Sequence, residues 1–160
     1  MRAKTWLFCS LLSGLAIGDD SLQQAVLLYE RGELTEAQAR FETLREAEPE
    51  NADTIYYPGL IQQSQGNYKE AADYFEEAVK LDQQQSRYYQ SLGEAYGSAL
   101  QNASMFKQMR MAGKVRDAFK TAVELDGDNI DARSGLITFY VNAPGIAGGS
   151  EEKALKKINR

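Results

Sequence analysis

The chain has 160 residues, of which 43% are hydrophobic and 26% charged, a composition typical of a single globular domain with enough apolar side chains for a core. Its 23 acidic residues outnumber its 18 basic ones, and the net charge of -5 argues against binding to a nucleic-acid backbone. Histidine is absent and the one cysteine lies near the N-terminus, so histidine base chemistry and Cys/His zinc sites are excluded. No metal and no cofactor is expected.

The first 18 residues predict a secretory signal peptide. Arg2 and Lys4 precede an apolar run from Thr5 to Ile17, which two acidic residues follow. We expect cleavage near Gly18 and a periplasmic or secreted domain over residues 19–160. The run is shorter than the roughly 20 residues of a membrane span, so no span is expected after cleavage. An uncleaved anchor and a buried first helix are the alternatives.

After this segment, apolar residues recur at helical spacing in consecutive segments. Ser21 begins the first of them and Gly32 ends it, because glycine readily takes the left-handed conformation after a helix. A second apolar stripe follows from Leu34 and stops before Pro49. The two segments predict an antiparallel helix hairpin.

The hairpin pattern recurs with a period of 34 residues. Gly66 and Phe75 each stand 34 positions after Gly32 and Phe41. A period of this length predicts a stack of helix pairs. Pro58 interrupts the first helix of the second pair and predicts a kink or a late helix start near Tyr57.

The third pair, from Ser86, carries ten extra residues, because Phe119 stands 44 positions after Phe75. The insertion lies between Gly97 and Lys114 and contains every methionine apart from the first residue: Met105, Met109 and Met111. Either both helices are longer and the methionines pack between their tips, or the methionines form a separate docking site.

The fourth pair opens at Ile130. A glycine-rich loop, PGIAGGS, follows its first helix, and Ser150 can cap the next one. The chain stops at Arg160 before that helix completes the pattern. We therefore expect either a truncated sequence or an exposed end that another molecule covers.

These repeats resemble the tetratricopeptide repeat family, whose pattern is W-x2-L-G-x2-Y in the first helix and A-x3-F in the second. The matching stretches are Tyr89-x2-Leu92-Gly93-x2-Tyr96, Ala37-x3-Phe41 and Ala71-x3-Phe75. Over residues 18 to 160 the resemblance implies an all-α, right-handed solenoid of about four antiparallel helix pairs, the last incomplete. It also implies protein binding in an inner groove and no catalysis. The PGIAGGS loop resembles one in exported bacterial members of the family.

The resemblance places the groove on the first helix of each pair. Projected onto this sequence, the exposed residues expected to bind a partner's peptide or helix are Tyr56, Leu60, Gln63, Arg87, Gln90, Glu94, Ser134 and Thr138. Members that bind chaperones hold a terminal carboxylate with a cluster of Lys, Arg and Asn. Of those positions only Arg87 has the right charge here, which argues against that activity.

Two other functions remain open. The chain could be a structural subunit that self-assembles through its C-terminal end, or it could bind envelope polysaccharide by stacking Tyr56, Tyr57 and Tyr88 on sugars. The segment Asp126–Asp131 begins like a calcium loop but lacks the glycine and the glutamate that such a loop requires. No enzyme activity is predicted.

Overall fold

The computed structural model describes residues 14–101, 103–143, 145 and 148–158, without the side chains of the first turns of α1 and of parts of α8. Within these ranges the chain forms helices joined by turns, and no strand occurs. The helices are α1 (Gly14–Glu30), α2 (Leu34–Ala47), α3 (Asp53–Ser64), α4 (Tyr68–Leu81), α5 (Ser86–Ala99), α6 (Met105–Leu125), α7 (Ile130–Asn142) and α8 (Glu151–Ile158).

Each helix packs against the next one along the chain. The first helices of successive pairs also contact one another, α1 against α3, α3 against α5 and α5 against α7. The prediction of an all-α solenoid of helix pairs is confirmed. The side of the solenoid formed by α3, α5 and α7 is called the inner face below.

Within the pairs, a small residue on the first helix lies opposite an aromatic on the second. A β-carbon on Gly59 would lie 2.6 Å from Cε1 of Phe75, and one on Gly93 would lie 3.0 Å from the Phe119 ring. The first distance is too short for a β-carbon and the second is unusually tight, so glycine at these positions favours the close approach of the helices. This packing gives a physical reason for glycine at both Gly59 and Gly93, which are 34 positions apart.

In the described part of the chain, the core consists of two clusters that meet at Tyr57. The first cluster lies between α1, α2 and the end of α3, and the second extends from α3 to α8. Tyr57 packs against both clusters, and its ring is stacked on Phe41 with the centroids 5.1 Å apart and the planes 3° from parallel. The first helix pair is therefore joined to the others partly through one tyrosine.

The helix ends follow local sequence signals. Gly32 and Gly66 have φ angles of 78° and 82°, a conformation that favours glycine. Asn129 caps α7 by accepting a hydrogen bond from the Ala132 N–H at 2.9 Å, and Ser150 Oγ accepts from the Lys153 N–H at 3.3 Å. The predicted cap at Ser150 is confirmed, whereas the predicted helix start at Ser21 is wrong, since α1 begins at Gly14 and Ser21 lies inside it.

The calcium-like segment forms part of a turn between repeats. Its Asp126 Oδ1 accepts a hydrogen bond from the Asp128 N–H at 2.9 Å. Among the described residues, no three metal-ligating side chains cluster. The local contacts of these aspartates are those of a turn.

The prediction of a late helix start near Tyr57 is wrong. Helix α3 begins at Asp53 and continues through Pro58, which is buried. Proline in the sixth position leaves the Thr54 carbonyl without its helical donor, a cost of about 3 kcal/mol in an isolated helix. Burial of the surrounding side chains offsets this cost, since Ile55 and Ile61 are 1% and 0% exposed.

The extra residues of the third pair lengthen mainly its second helix. Helix α5 has 14 residues against 12 in its counterpart α3, whereas α6 has 21 against 14 in α4. The methionines also separate, because Met111 packs against the core while Met105 is 72% exposed. Both helices are longer than their counterparts, as one alternative predicted, but its placement of all three methionines between the helix tips is wrong.

Most of the predicted signal segment, residues 1–13, lies outside the described residues. Helix α1 begins at Gly14, so the backbone at the expected cleavage point near Gly18 is helical. Within the part of the chain that the structure describes, no helix is long and apolar enough to cross a membrane. Cleavage and export stay predictions.

Candidate functional site

The structure brings three of the predicted residues into one hydrogen-bonded group on the inner face. Gln63 Nε2 of α3 donates to Glu94 Oε2 at 3.1 Å, and Gln90 Nε2 of α5 donates to Glu94 Oε1 at 2.9 Å. We call these residues the Glu94 cluster. Both donors are neutral amides, so they orient the carboxylate without neutralising its charge.

Arg87 is held in an ion pair of its own. Its Nη2 lies 2.5 Å from Asp53 Oδ1, and its guanidinium lies over the rings of Tyr56 and Tyr88, 5.2 and 5.1 Å from their centroids. Burial alone would lower the pKa of Arg87, but the Asp53 carboxylate outweighs it and the pKa is raised. Arg87 therefore already has a carboxylate partner within the chain.

The expectation that Tyr56 is exposed is wrong. Tyr56 is 7% exposed, its hydroxyl lies 3.2 Å from Ser91 Oγ, and its ring packs against Phe75 and Tyr88. The reason is that the adjacent first helix, α5, covers this part of α3. Burial accordingly raises the pKa of the Tyr56 hydroxyl.

The same packing affects the polysaccharide alternative. Tyr88 is 3% exposed and donates its hydroxyl to Asp53 at 2.6 Å, and Tyr57 stacks on Phe41. Stacking on a sugar needs an accessible ring face. The packing of Tyr56, Tyr57 and Tyr88 therefore argues against their serving as a sugar-stacking surface.

A cavity of about 530 Å³ lies between α5, α6 and α7. Its size falls within the range of about 300–1,000 Å³ that is usual for ligand sites. Each helix contributes one stripe of side chains at helical spacing. The α6 stripe is the longest, and its members are Met105, Gln108, Met109, Ala112, Val115 and Phe119.

Two of the predicted residues, Glu94 and Thr138, line this cavity. The other members of the Glu94 cluster lie beside it, while Leu60 packs against the core and Ser134 is exposed outside the lining. The structure thus gathers part of the predicted set at the α5 end of the inner face. Whether any of these residues binds a partner stays a prediction.

The predicted inner groove does not include the α6 stripe, because its residues were taken only from the first helix of each pair. The methionine-rich insertion was the available signal. Met105 and Met109, 72% and 39% exposed, now line the cavity, and Phe106 beside them is 76% exposed. The docking alternative for this segment depends on the packing of α6 against α5 and α7, which the sequence alone does not show.

Residues 22–86 match the family model described as tetratricopeptide repeat. A thermophilic protein of this type from Thermus thermophilus is 18% identical, with a TM-score of 0.70 over 89% of this chain and 71% of that one. The fold is that of a tetratricopeptide repeat solenoid. The sequence match and the structural likeness together support this family.

Two further solved structures have similar folds. An O-GlcNAc transferase mutant from Thermobaculum terrenum is 21% identical with a TM-score of 0.68; 84% of this chain is covered, but only 24% of the transferase. The second tetratricopeptide repeat domain of human RPAP3, in complex with the HSP70 peptide SGPTIEEVD, is 17% identical with a TM-score of 0.65, covering 79% of this chain and 98% of that domain. A comparison with curated proteins gave no match.

Proposed function

We propose that this tetratricopeptide repeat chain is a non-enzymatic scaffold that binds a peptide or helix of a partner protein on its inner face. The observation that carries the proposal is the apolar cavity between α5, α6 and α7, which adjoins the Glu94 cluster and the exposed methionines of α6. Exposed apolar patches beside a few oriented polar groups are typical of protein-binding sites.

The complex of the human RPAP3 domain with an HSP70 peptide supports peptide binding as a use of this fold. The bound peptide of that domain ends in Glu-Glu-Val-Asp, in which three of the four residues are acidic. In this chain Arg87 is already paired with Asp53, and the carboxylate of Glu94 faces the cavity. We therefore infer that the partner of this inner face does not bind through an acidic end such as that of the HSP70 peptide.

Selection of a displayed peptide library on the immobilised chain tests the proposal. We expect enriched peptides that bind the purified chain. Their affinity for the Thr138→Arg variant should be at least about tenfold lower, because the new side chain fills the cavity and brings a charge into it. Thr43→Arg is the matched control, since Thr43 is exposed on α2, away from the cavity.

Circular dichroism should show the same helix content for both variants. If no peptide is enriched, or if the enriched peptides bind both arginine variants as tightly as the original chain, the scaffold proposal at this face is wrong.

We also propose that the chain is exported by a bacterium. The support is the pattern of the first 18 residues, with two basic residues, an apolar run and small residues before Asp19. Expression of the full chain in a bacterial host, followed by osmotic-shock fractionation and N-terminal sequencing, should place a protein beginning near Asp19 in the periplasm. A Leu11→Arg variant should stay uncleaved in the cytoplasm, and an uncleaved cytoplasmic original chain would contradict the proposal.

A further inference from the structure

We infer that the cavity between α5, α6 and α7 binds an apolar segment of a partner that carries one lysine or arginine, and that this cation pairs with Glu94. The inference rests on the proposed function and specifies the chemistry of the partner. It is carried by the distribution of charge around the cavity, together with the apolar character of the cavity walls.

The walls are apolar over most of their area. Val115, Phe119 and Phe139 form the inner part, and the flexible methionine side chains of α6 lie at the exposed part. Thioethers adapt to side chains of different shapes, which suits contact with a segment of varied sequence. A partner's leucine, isoleucine or methionine side chains would leave water and contact these walls.

The first turns of α6 provide a further surface for such a segment. Residues 104–110 are all exposed, so this part of α6 projects beyond the packed core. Phe106 and Met105 are 76% and 72% exposed there. A segment that enters the cavity from this side can contact them as well.

The only charge among the described residues that line the cavity is that of Glu94. Its oxygens accept hydrogen bonds from the amides of Gln63 and Gln90, and none of the ion pairs within the described residues includes it. Each carboxylate oxygen has a second lone pair for another donor. Glu94 is thus an oriented anion that can still accept a cation.

Two of the cations of α6 lie on another side of the helix. Lys107 and Lys114 line a separate cavity next to α4, where Lys114 Nζ lies 3.3 Å from Glu76 Oε1. The charge facing the first cavity is therefore negative. A carboxylate on a bound peptide, or on a fatty acid, would meet repulsion there, while an ammonium or guanidinium would be attracted.

Fluorescence anisotropy with three matched peptides tests the inference. The probe is a fluorescein-labelled 14-residue peptide with leucines at helical i, i+3, i+4 and i+7 spacing and one lysine; the matched peptides carry glutamine or glutamate in place of the lysine. We expect the full chain to bind the lysine peptide about tenfold more tightly than the glutamate peptide, with the glutamine peptide between them.

Two substitutions at Glu94 separate charge from structure. Glu94→Gln keeps the size and should reduce the preference for lysine to less than about threefold, and Glu94→Lys should reverse the order of the peptides. Glu42→Lys is the matched control, because Glu42 also accepts a hydrogen bond from a glutamine, Gln38, but lies exposed on α2. It should leave the order unchanged.

Equal affinities for the lysine and glutamate peptides would overturn the role of Glu94. The scaffold proposal would still stand if Thr138→Arg abolished binding of the library peptides. Absence of binding by all three designed peptides would also overturn the inference. So would sedimentation showing a dimer that Thr138→Arg dissociates, because a second copy of the chain would then occupy the cavity.

Discussion

Single glycines determine how closely the helices of this solenoid approach. Gly135 of α7 faces Phe119, and a β-carbon on it would lie 2.4 Å from Cε1 of that ring. Gly97 of α5 has more room, since its β-carbon would meet only Val115 Cγ1 at 4.0 Å. Both glycines are helical, so they differ chiefly in the space around them.

This difference predicts opposite effects of the same substitution. Gly135→Ala should lower the free energy of unfolding by about 1–3 kcal/mol, because the new methyl group overlaps a buried ring. Gly97→Ala should raise it by up to about 1 kcal/mol, because alanine is the better helix former. Urea denaturation followed by circular dichroism measures both values, and equal stabilisation by the two substitutions would contradict the close approach of α7 to Phe119.

A second residue-scale feature is the hydroxyl of Tyr96. It donates to Glu76, Lys114 Nζ lies 3.3 Å from the same hydroxyl, and the ammonium is 5.0 Å from the ring centroid. Burial and the hydrogen bond to Glu76 raise the pKa of Tyr96 to about 12. The folded state therefore retains the phenol proton more tightly than the unfolded state does, where the pKa is about 10.

The sign of the pH dependence follows from that difference. The contribution of Tyr96 to stability should be fully present below about pH 10 and should be lost as the pH rises towards 12. Tyr96→Phe should reduce the fall in unfolding free energy over this range, measured by urea denaturation at pH 8 to 11.5. Some fall should persist, since the pKa values of Tyr29, Tyr56 and Tyr88 are also raised. An unchanged slope in the variant would contradict the role of Tyr96.

The two ends of α6 differ in their surroundings. Its residues Met105 to Arg110 are exposed, whereas Val115, Ala118, Phe119 and Ala122 of its second half are buried. Most of the stability of a helix in a protein comes from packing of its apolar face. The first turns of α6, from Met105 to Arg110, lack that packing within the described residues.

We therefore expect unequal hydrogen exchange along α6. Amides of Met109 and Arg110 should exchange at least about a hundredfold faster than those of Phe119 and Ala122, because opening the first turns breaks few buried contacts. Exchange measured by NMR on the free chain tests this. Addition of the lysine peptide should slow exchange in the first half only, and uniform protection of α6 in the free chain would contradict the description.

For the whole molecule, the junction between the two core clusters is the point at which the solenoid can lose cooperativity. Tyr57 stacks on Phe41 of the first cluster and meets Tyr56 of the second with ring centroids 5.5 Å apart. In solenoids, stability is approximately the sum of repeat terms and interface terms between neighbours. Removing one large interface residue should weaken the coupling more than it weakens either cluster.

Tyr57→Ala should accordingly cost about 1–3 kcal/mol and let α1 and α2 unfold at lower denaturant than α5 and α6. Hydrogen exchange of the α2 and α6 segments at increasing urea measures this separation. Tyr89→Ala is the control, since Tyr89 is half-buried on α5 and belongs to neither cluster. Coincident unfolding of all segments in the Tyr57 variant would show that other contacts maintain the coupling.

Much of this architecture follows from local sequence signals. Gly32 and Gly66 end helices because glycine readily takes positive φ, and Asn129 and Ser150 cap helices through their own side chains. The 34-residue spacing of small and aromatic residues was enough to predict a stack of helix pairs.

The site was harder to predict from the sequence, because it depends on contacts between residues that are far apart in the chain. The sequence does not show that Arg87 is paired, because its partner Asp53 stands 34 positions earlier. In the structure, Arg87 Nη2 lies 2.5 Å from Asp53 Oδ1. Tyr56 was expected in the groove, and only the position of α5 shows that its ring is covered. The 530 Å³ cavity likewise cannot be predicted from any single helix, because residues of three helices line it.

The sequence by itself determined the helix pairs and their order, since turn residues and apolar periodicity act within one or two turns of chain. The tertiary structure decided which side of each first helix is accessible and where Glu94 meets the stripe of α6. The physical reason is that burial and electrostatic pairing depend on distances between helices, which the packing of Phe119 against Gly93 and Gly135 sets.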